Sequence, residues 1–222
     1  MRVSFRSCLT LALLLALGPG IAAAPGKPAK LYPADEASQD PSFVAFRTGL
    51  LDALARKDKA FVIGILDPDI KFSLGDDHGV AGFERHWELD RPQSSQLWQE
   101  LTTVLSLGGR FRESNGTVEF WAPYTFADFP GDWDAFESAV ILGANVNVRG
   151  GPGVDAPIIE RLTFDIVRTT GQDPGEWVKI VSPGGKEGYV ARRYIRSPID
   201  YRAAFVKGAA GAWRMRLLVA GD

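Results

Sequence analysis

From Pro41 to Arg56 the apolar residues fall at Phe43, Phe46, Leu50, Leu51 and Leu54, a spacing that lays one apolar stripe along a helix. Asp40 before Pro41 supplies its start, an N-cap acceptor followed by a residue whose missing N–H costs nothing there. Asp58 caps a second short helix with Phe61, Ile65 and Leu66 inward, and Asp67-Pro68 stops it. Ile70, Phe72 and Leu74 then alternate with Asp69, Lys71 and Ser73, which predicts a strand ending at Gly75-Asp76-Asp77. A helix carrying Phe83 and Trp87 runs to Arg91-Pro92. Ser94 or Ser95 caps the next, with Leu97, Trp98, Leu101, Val104 and Leu105 on one side, until Gly108-Gly109 breaks the run. Arg110 to Arg112 and Val118 to Trp121 flank Asn115-Gly116, a strong hairpin signal. Residues 122–133 form an aromatic, proline-containing crossing.

Beyond Val140 the period changes to two. Val146 and Val148 alternate with Asn145, Asn147 and Arg149, and Gly150-Gly151-Pro152-Gly153 ends the run in a turn. Ile158, Ile159 and Leu162 begin another apolar run, followed by Phe164, Ile166 and Val167. The turn cluster at 171–175 precedes Trp177-Val178-Lys179-Ile180-Val181, and Ser182-Pro183-Gly184-Gly185 leads into Gly188-Tyr189-Val190 and Tyr194-Ile195. Four or five short strands with a turn every eight to twelve residues predict a small barrel or sandwich. In order and in residues, Asn145 to Ile195 resembles a bacterial SH3 (SH3b) domain, a non-catalytic barrel of secreted and cell-wall proteins. The resemblance implies a mainly structural role for Asn145, Asn147 and Arg149. It implies packing and groove roles for Trp177 and Tyr189.

Tyr201 to Val206 and Trp213 to Val219 flank a Lys207-to-Gly211 turn. This strand pair lies outside the barrel pattern and needs a sheet to join. Together with the helix, short helix, strand, helix order of the first half, and with Gly211-Ala212-Trp213-Arg214-Met215 in a closing strand, it resembles an NTF2-like domain. The expected fold is therefore α+β: a small SH3-like barrel combined with, and inserted into, a body of helices packed on an antiparallel sheet. The expected divisions are a signal peptide over 1–22, a flexible linker over 23–40, an α+β domain over 41–136, the barrel over 137–197 and a completing hairpin over 198–222. A tandem arrangement, with the last hairpin on the barrel, is the alternative.

The leader reading rests on Arg2 and Arg6, the apolar run Leu9 to Leu17, the Gly18-Pro19-Gly20 break and the small residues Ala22-Ala23-Ala24. It implies secretion to the periplasm, and its apolar run is too short to span a bilayer. Cys8, the only cysteine, lies inside it, so disulfide and thiol chemistry are not expected of the secreted chain. Losing Arg2 and Arg6 takes 25 basic residues to 23 against 27 acidic, a formal charge of −4. That balance argues against nucleic acid and anionic membrane as partners.

Asp76, Asp77, His78, Glu84 and His86 are the one local group with metal or acid–base character. Their spacing matches no zinc motif, and Gly79 and Gly82 interrupt the helix that would align the two histidines. Phosphate-loop, dinucleotide and nucleophile-elbow motifs are absent from the sequence. The expected function is non-enzymatic, without cofactor or metal. The barrel binds envelope material, a peptidoglycan peptide or an extended protein segment, through Trp177, Tyr189, Tyr194 and Arg149. The α+β body acts as scaffold or homodimer surface. The rival is an NTF2-like enzyme or small-ligand binder with Asp69 and His86 in a buried pocket lined by Trp121, Tyr124 and Tyr201. A cone filled by Phe72, Trp87, Trp98 and Trp121 favours the scaffold.

Overall fold

A computed structural model describes residues 29–114, 116–170, 175–208 and 210–221. The leader at 1–22 and the first part of the expected linker lie outside these residues. In chain order the elements are α1 (Pro41–Ala55), α2 (Lys59–Gly64), β1 (Leu66–Lys71), α3 (Val80–His86), α4 (Leu97–Ser106), β2 (Arg110–Ser114), β3 (Thr117–Ala122) and α5 (Tyr124–Ala127). There follow β4 (Ser138–Ile141), β5 (Val146–Arg149), β6 (Ile158–Leu162), β7 (Ile166–Thr169), β8 (Trp177–Val181), β9 (Glu187–Ala191) and β10 (Ile195–Arg196). The chain closes with β11 (Arg202–Lys207) and β12 (Trp213–Val219). Among the described residues no helix is long and apolar enough to cross a membrane.

The helix starts follow the local chemistry of the sequence. Asp40 accepts the Ser42 and Phe43 N–H groups at 2.8 and 3.3 Å. Asp58 accepts the Phe61 N–H at 3.0 Å, so both orphan-donor ends are capped by side chains. The Ser95 hydroxyl accepts the Leu97 N–H at the start of α4. The Ser42 hydroxyl and then the Lys207 ammonium, 2.9 Å away, hold the Asp40 carboxyl well below the usual range. Through Lys207 the start of α1 is tied to the end of β11.

The first sheet has the order β1-β12-β11-β3-β2. Of its three inner strands, β11 and β12 are the last in the chain, and β11 pairs antiparallel with both β3 and β12. The sheet departs from the expected antiparallel form at one place, because β1 runs parallel to β12. β1 also starts earlier than expected and carries Asp67-Pro68 within it. An edge strand tolerates proline because one side of its backbone has no ladder to feed. Leu74, expected at the end of that strand, lies beyond it and is exposed.

Helices α1 and α4 cover one face of this sheet. The Phe43 ring sits at the centre, 4.2 Å from the Phe120 ring and 4.9 Å from that of Trp213. Leu50 and Leu54 from α1, Leu97, Leu101 and Val104 from α4, and Phe205, Met215 and Leu218 from the sheet complete the core. Each such side chain contributes roughly 1.5–3 kcal/mol on burial. Phe72, Trp87 and Trp98 belong to this core as expected, but Trp121 does not. It points to the opposite face, where it stacks on Phe126 at 5.5 Å and donates from its indole to Glu119. The strand alternation that puts Phe120 inside puts Trp121 outside.

The second sheet has the order β10-β4-β7-β8-β9-β5-β6, seven strands where four or five were expected. Val146, Val148, Val178, Ile180 and Val190 point into its core, while Asn147, Arg149, Trp177, Lys179 and Tyr189 stand half-buried on the outer face. Of the apolar run on β6 only Leu162 is buried. Ile158 and Ile159 are 43% and 36% exposed, because β6 is an edge strand with its partner β5 on one side only. Gly188 is where β9 presses against β5. A Cβ there would stand 2.5 Å from a Val148 methyl carbon and 2.9 Å from the Arg149 carbonyl oxygen.

Residues 29–40 are packed, in place of a flexible linker. The Lys30 ammonium meets the Asp165 carboxylate at 2.7 Å, and the Leu31 N–H donates to the Phe164 carbonyl at 2.8 Å. Further along, Glu36 accepts from the Arg110 guanidinium at 2.8 Å and from the Phe111 N–H at 2.9 Å. This strap touches both sheets, and apolar anchors at Leu31 and Ala37 hold it in place despite its mainly small and polar composition. Leu31, Tyr124, Val140 and Ile166 form one buried cluster, joined by Leu107, Phe129 and Trp133. Burial there pushes the Tyr124 phenol up to about 12. At the other end of the barrel the buried Arg196 donates to the Tyr201 carbonyl at 2.7 Å, and the Tyr201 ring packs 5.0 Å from that of Trp87.

Two outcomes follow from this packing. The Arg110 hydrogen bond holds the Glu36 carboxyl below its ordinary value of 4.5. A depressed carboxyl stabilises the fold at higher pH and loses that contribution as pH falls through its folded value. Glu36→Gln should therefore lower stability at neutral pH and flatten the loss of stability below 4.5, read from urea midpoints across a pH series. An unchanged slope would contradict the assignment. Gly188→Ala should destabilise by about 1–3 kcal/mol through overpacking, seen as a lower urea midpoint. A midpoint equal to the parent's would show that β9 and β5 are not in close contact.

Candidate binding groove on the barrel

The outer face of the barrel is built from pairs set by strand register. Trp177 on β8 stands opposite Ala191 on β9. One step along the same face, Tyr189 stands between Lys179 on β8 and Arg149 on β5. The small Ala191 beside the large Trp177 leaves a depression, and the turn after β9 (Arg192–Tyr194) closes one side of it with Tyr194. The loop after β5 brings Val154 to the same opening. The resulting groove has a volume of about 270 Å³. Its rim is open, with Tyr194 43% and Val154 66% exposed.

Each wall is fixed by identifiable contacts. One Arg149 Nη donates to the Ala156 carbonyl at 2.7 Å and so holds the 150–157 loop against β5. Arg161 Nε donates to the Asn147 side-chain oxygen at 3.1 Å. Asn145 has a φ of 55°, a left-handed conformation that asparagine tolerates better than most residues. Its N–H donates to the Thr163 hydroxyl at 2.9 Å. The Arg193 guanidinium lies 4.8 Å over the Tyr194 ring, a cation–π arrangement that orients both side chains.

Of the four expected binding residues, the structure brings Trp177, Tyr194 and Arg149 together in the groove. Tyr189 shares their face but lies in the neighbouring row, between Arg149 and a Lys179 that is paired with Glu187 at 2.8 Å. The sequence reading passed over Arg193, Val154 and Ala191. The first has a usable signal, a basic residue directly before an aromatic at the end of the last long strand. Val154 lies in a glycine-rich loop whose path the pattern does not define.

Among the described residues the lining carries two cations, Arg149 and Arg193, and no carboxylate. Among the described residues neither guanidinium has an ion-pair partner. The groove therefore reverses the sign of a chain whose formal net charge is −2. It holds aromatic faces, a methyl-lined floor and hydrogen-bond donors, which suits adhesion to a partner surface.

The other candidates lie outside this groove. Asp69 and His86 are both exposed, and His86 leans its ring on Phe72 at 5.3 Å. The His78 ring hydrogen-bonds the Asp76 carbonyl at 2.7 Å, and Glu84 pairs with Lys59 at 3.7 Å. Among the described residues no three acidic, histidine or cysteine side chains gather as a metal site would require. Tyr124 is buried in the cluster between the sheets, and Tyr201 packs on Trp87.

No curated protein matches the chain. Residues 144–196 match the family model of the bacterial SH3 domain, a span that runs from the entrance of β5 to the end of β10 and contains every lining residue of the groove. This part of the protein is a bacterial SH3 domain.

Proposed function

We propose that the protein is a secreted, periplasmic, non-enzymatic binder whose bacterial SH3 domain holds an extended peptide of the cell wall in the groove between Trp177 and Tyr194. The observation that carries this reading is the groove itself: two aromatic faces and two guanidinium groups without an ion-pair partner among the described residues line one open depression. Extended peptides are commonly held in aromatic-lined grooves, because their backbone groups remain available along the edge. The family match supports it too, since bacterial SH3 domains bind cell-wall material or proteins. The exposed positions of Asp69 and His86 favour this reading over an enzyme built on the α+β body.

In the same reading the barrel is an insertion between β3 and β11, and the α+β body is its carrier. The pairing of β11 with β3 favours insertion over a tandem arrangement, since the sheet needs strands from both sides of the barrel. The body also offers a surface for self-association, which analytical ultracentrifugation of the purified protein reads directly.

Co-sedimentation with isolated peptidoglycan sacculi tests the wall reading. The parent protein should pellet with sacculi, and Trp177→Ala should reduce the bound fraction at least about tenfold, the effect of removing an interface anchor. Trp177 is half-buried, so its truncation should cost less than the ~3–5 kcal/mol of a fully buried aromatic. Circular dichroism should then show a folded variant. A parent protein that stays in the supernatant would remove the wall peptide as partner and leave an extended protein segment in its place.

A further inference from the structure

We infer that the groove selects peptides by a carboxylate, received by Arg149 and Arg193, beside an apolar side chain seated between Trp177 and Tyr194. The inference rests on the reading of the groove as a peptide site. The polar lining is biased towards donors. One Arg149 nitrogen is used by the Ala156 carbonyl, which leaves the rest of a planar five-donor group. Arg193 is held over the Tyr194 ring, a contact that fixes the guanidinium and satisfies none of its N–H groups. The Asn147 side-chain oxygen is taken by Arg161, so the free part of that amide is its NH₂, another donor.

A lining of this kind is complementary to an acceptor-rich ligand. A carboxylate matches the arginine fork better than a neutral carbonyl does, because both its oxygens accept and both carry charge. A phosphate or sulfate would satisfy the arginines equally but would leave the Trp177, Val154 and Tyr194 faces without an apolar partner. A peptide supplies both from neighbouring residues. In an extended strand successive side chains point to opposite sides, so an acidic residue and an apolar residue two positions apart face the groove together.

The test is an NMR titration of the purified protein with two synthetic peptides, acetyl-Ala-Glu-Ala-Leu-Ala-amide and the same peptide with glutamine for glutamate. The acidic peptide should shift the Trp177 indole and the Arg149 and Arg193 Nε–H signals. The glutamine peptide should bind about tenfold more weakly, the scale of one lost charge-assisted contact. A double variant, Arg149→Gln with Arg193→Gln, should bind the two peptides alike. The single Arg193→Gln change, at an exposed position, guards against a folding defect in the Arg149 loop. Equal affinity for both peptides, shifts confined to other surfaces, or no shifts at all would overturn the inference. Sacculi separate this result from the wall reading. Acidic-peptide binding without sacculus binding sustains carboxylate selection and removes the wall as its source. Sacculus binding without preference between the peptides removes carboxylate selection alone.

Discussion

The structure depends on a pairing between distant parts of the chain. β11 lies at the centre of the first sheet and bonds to β3 on one side and β12 on the other, yet some 80 residues of other structure come between β3 and β11. The helices α1 and α4 have no complete surface to bury against until the last strands arrive. Phe43 shows this most directly: its neighbours include Phe120 from β3 and both Phe205 and Trp213 from the closing pair. The first sheet thus joins strands that lie on either side of residues 138–196 in the sequence.

The same constraint explains how the barrel is held. A strap and two sets of buried contacts tie the two sheets together. Lys30 and Leu31 attach the strap to the β6–β7 turn, and Glu36 attaches it to Arg110 at the start of β2. Tyr124, Val140 and Ile166 fill the space between the sheets. Arg196 and Tyr201 fasten the return crossing. The groove shares none of these residues. It is assembled wholly from residues 144–194, so the groove and the anchoring contacts use separate residues of one small barrel.

Much of this was legible in the sequence wherever local chemistry decides. Asp40-Pro41 and Asp58 start their helices, alternation of Val146 with Asn147 marks β5, and Asn115-Gly116 falls between β2 and β3. What was illegible depends on tertiary placement. Residues 29–40 have a linker's composition and become structure because Leu31 and Ala37 find apolar surface elsewhere. Ile158 and Ile159 have a core composition and become exposed because β6 is an edge. The parallel pairing of β1 with β12 leaves no periodic trace in either strand. In the groove, aromatic type picked out Trp177 and Tyr194, but only register separates Tyr189 from them and only the fold brings Val154 and Arg193 to their side.

The central claim is that the open face beside Trp177 is where the protein meets its partner. A crystal structure of the protein soaked with soluble peptidoglycan fragments tests it most directly. The account predicts peptide density between the Trp177 and Tyr194 rings, with a carboxylate within hydrogen-bond distance of Arg149 or Arg193, about 2.7–2.9 Å. Density against the α+β body, with the groove empty, would contradict it.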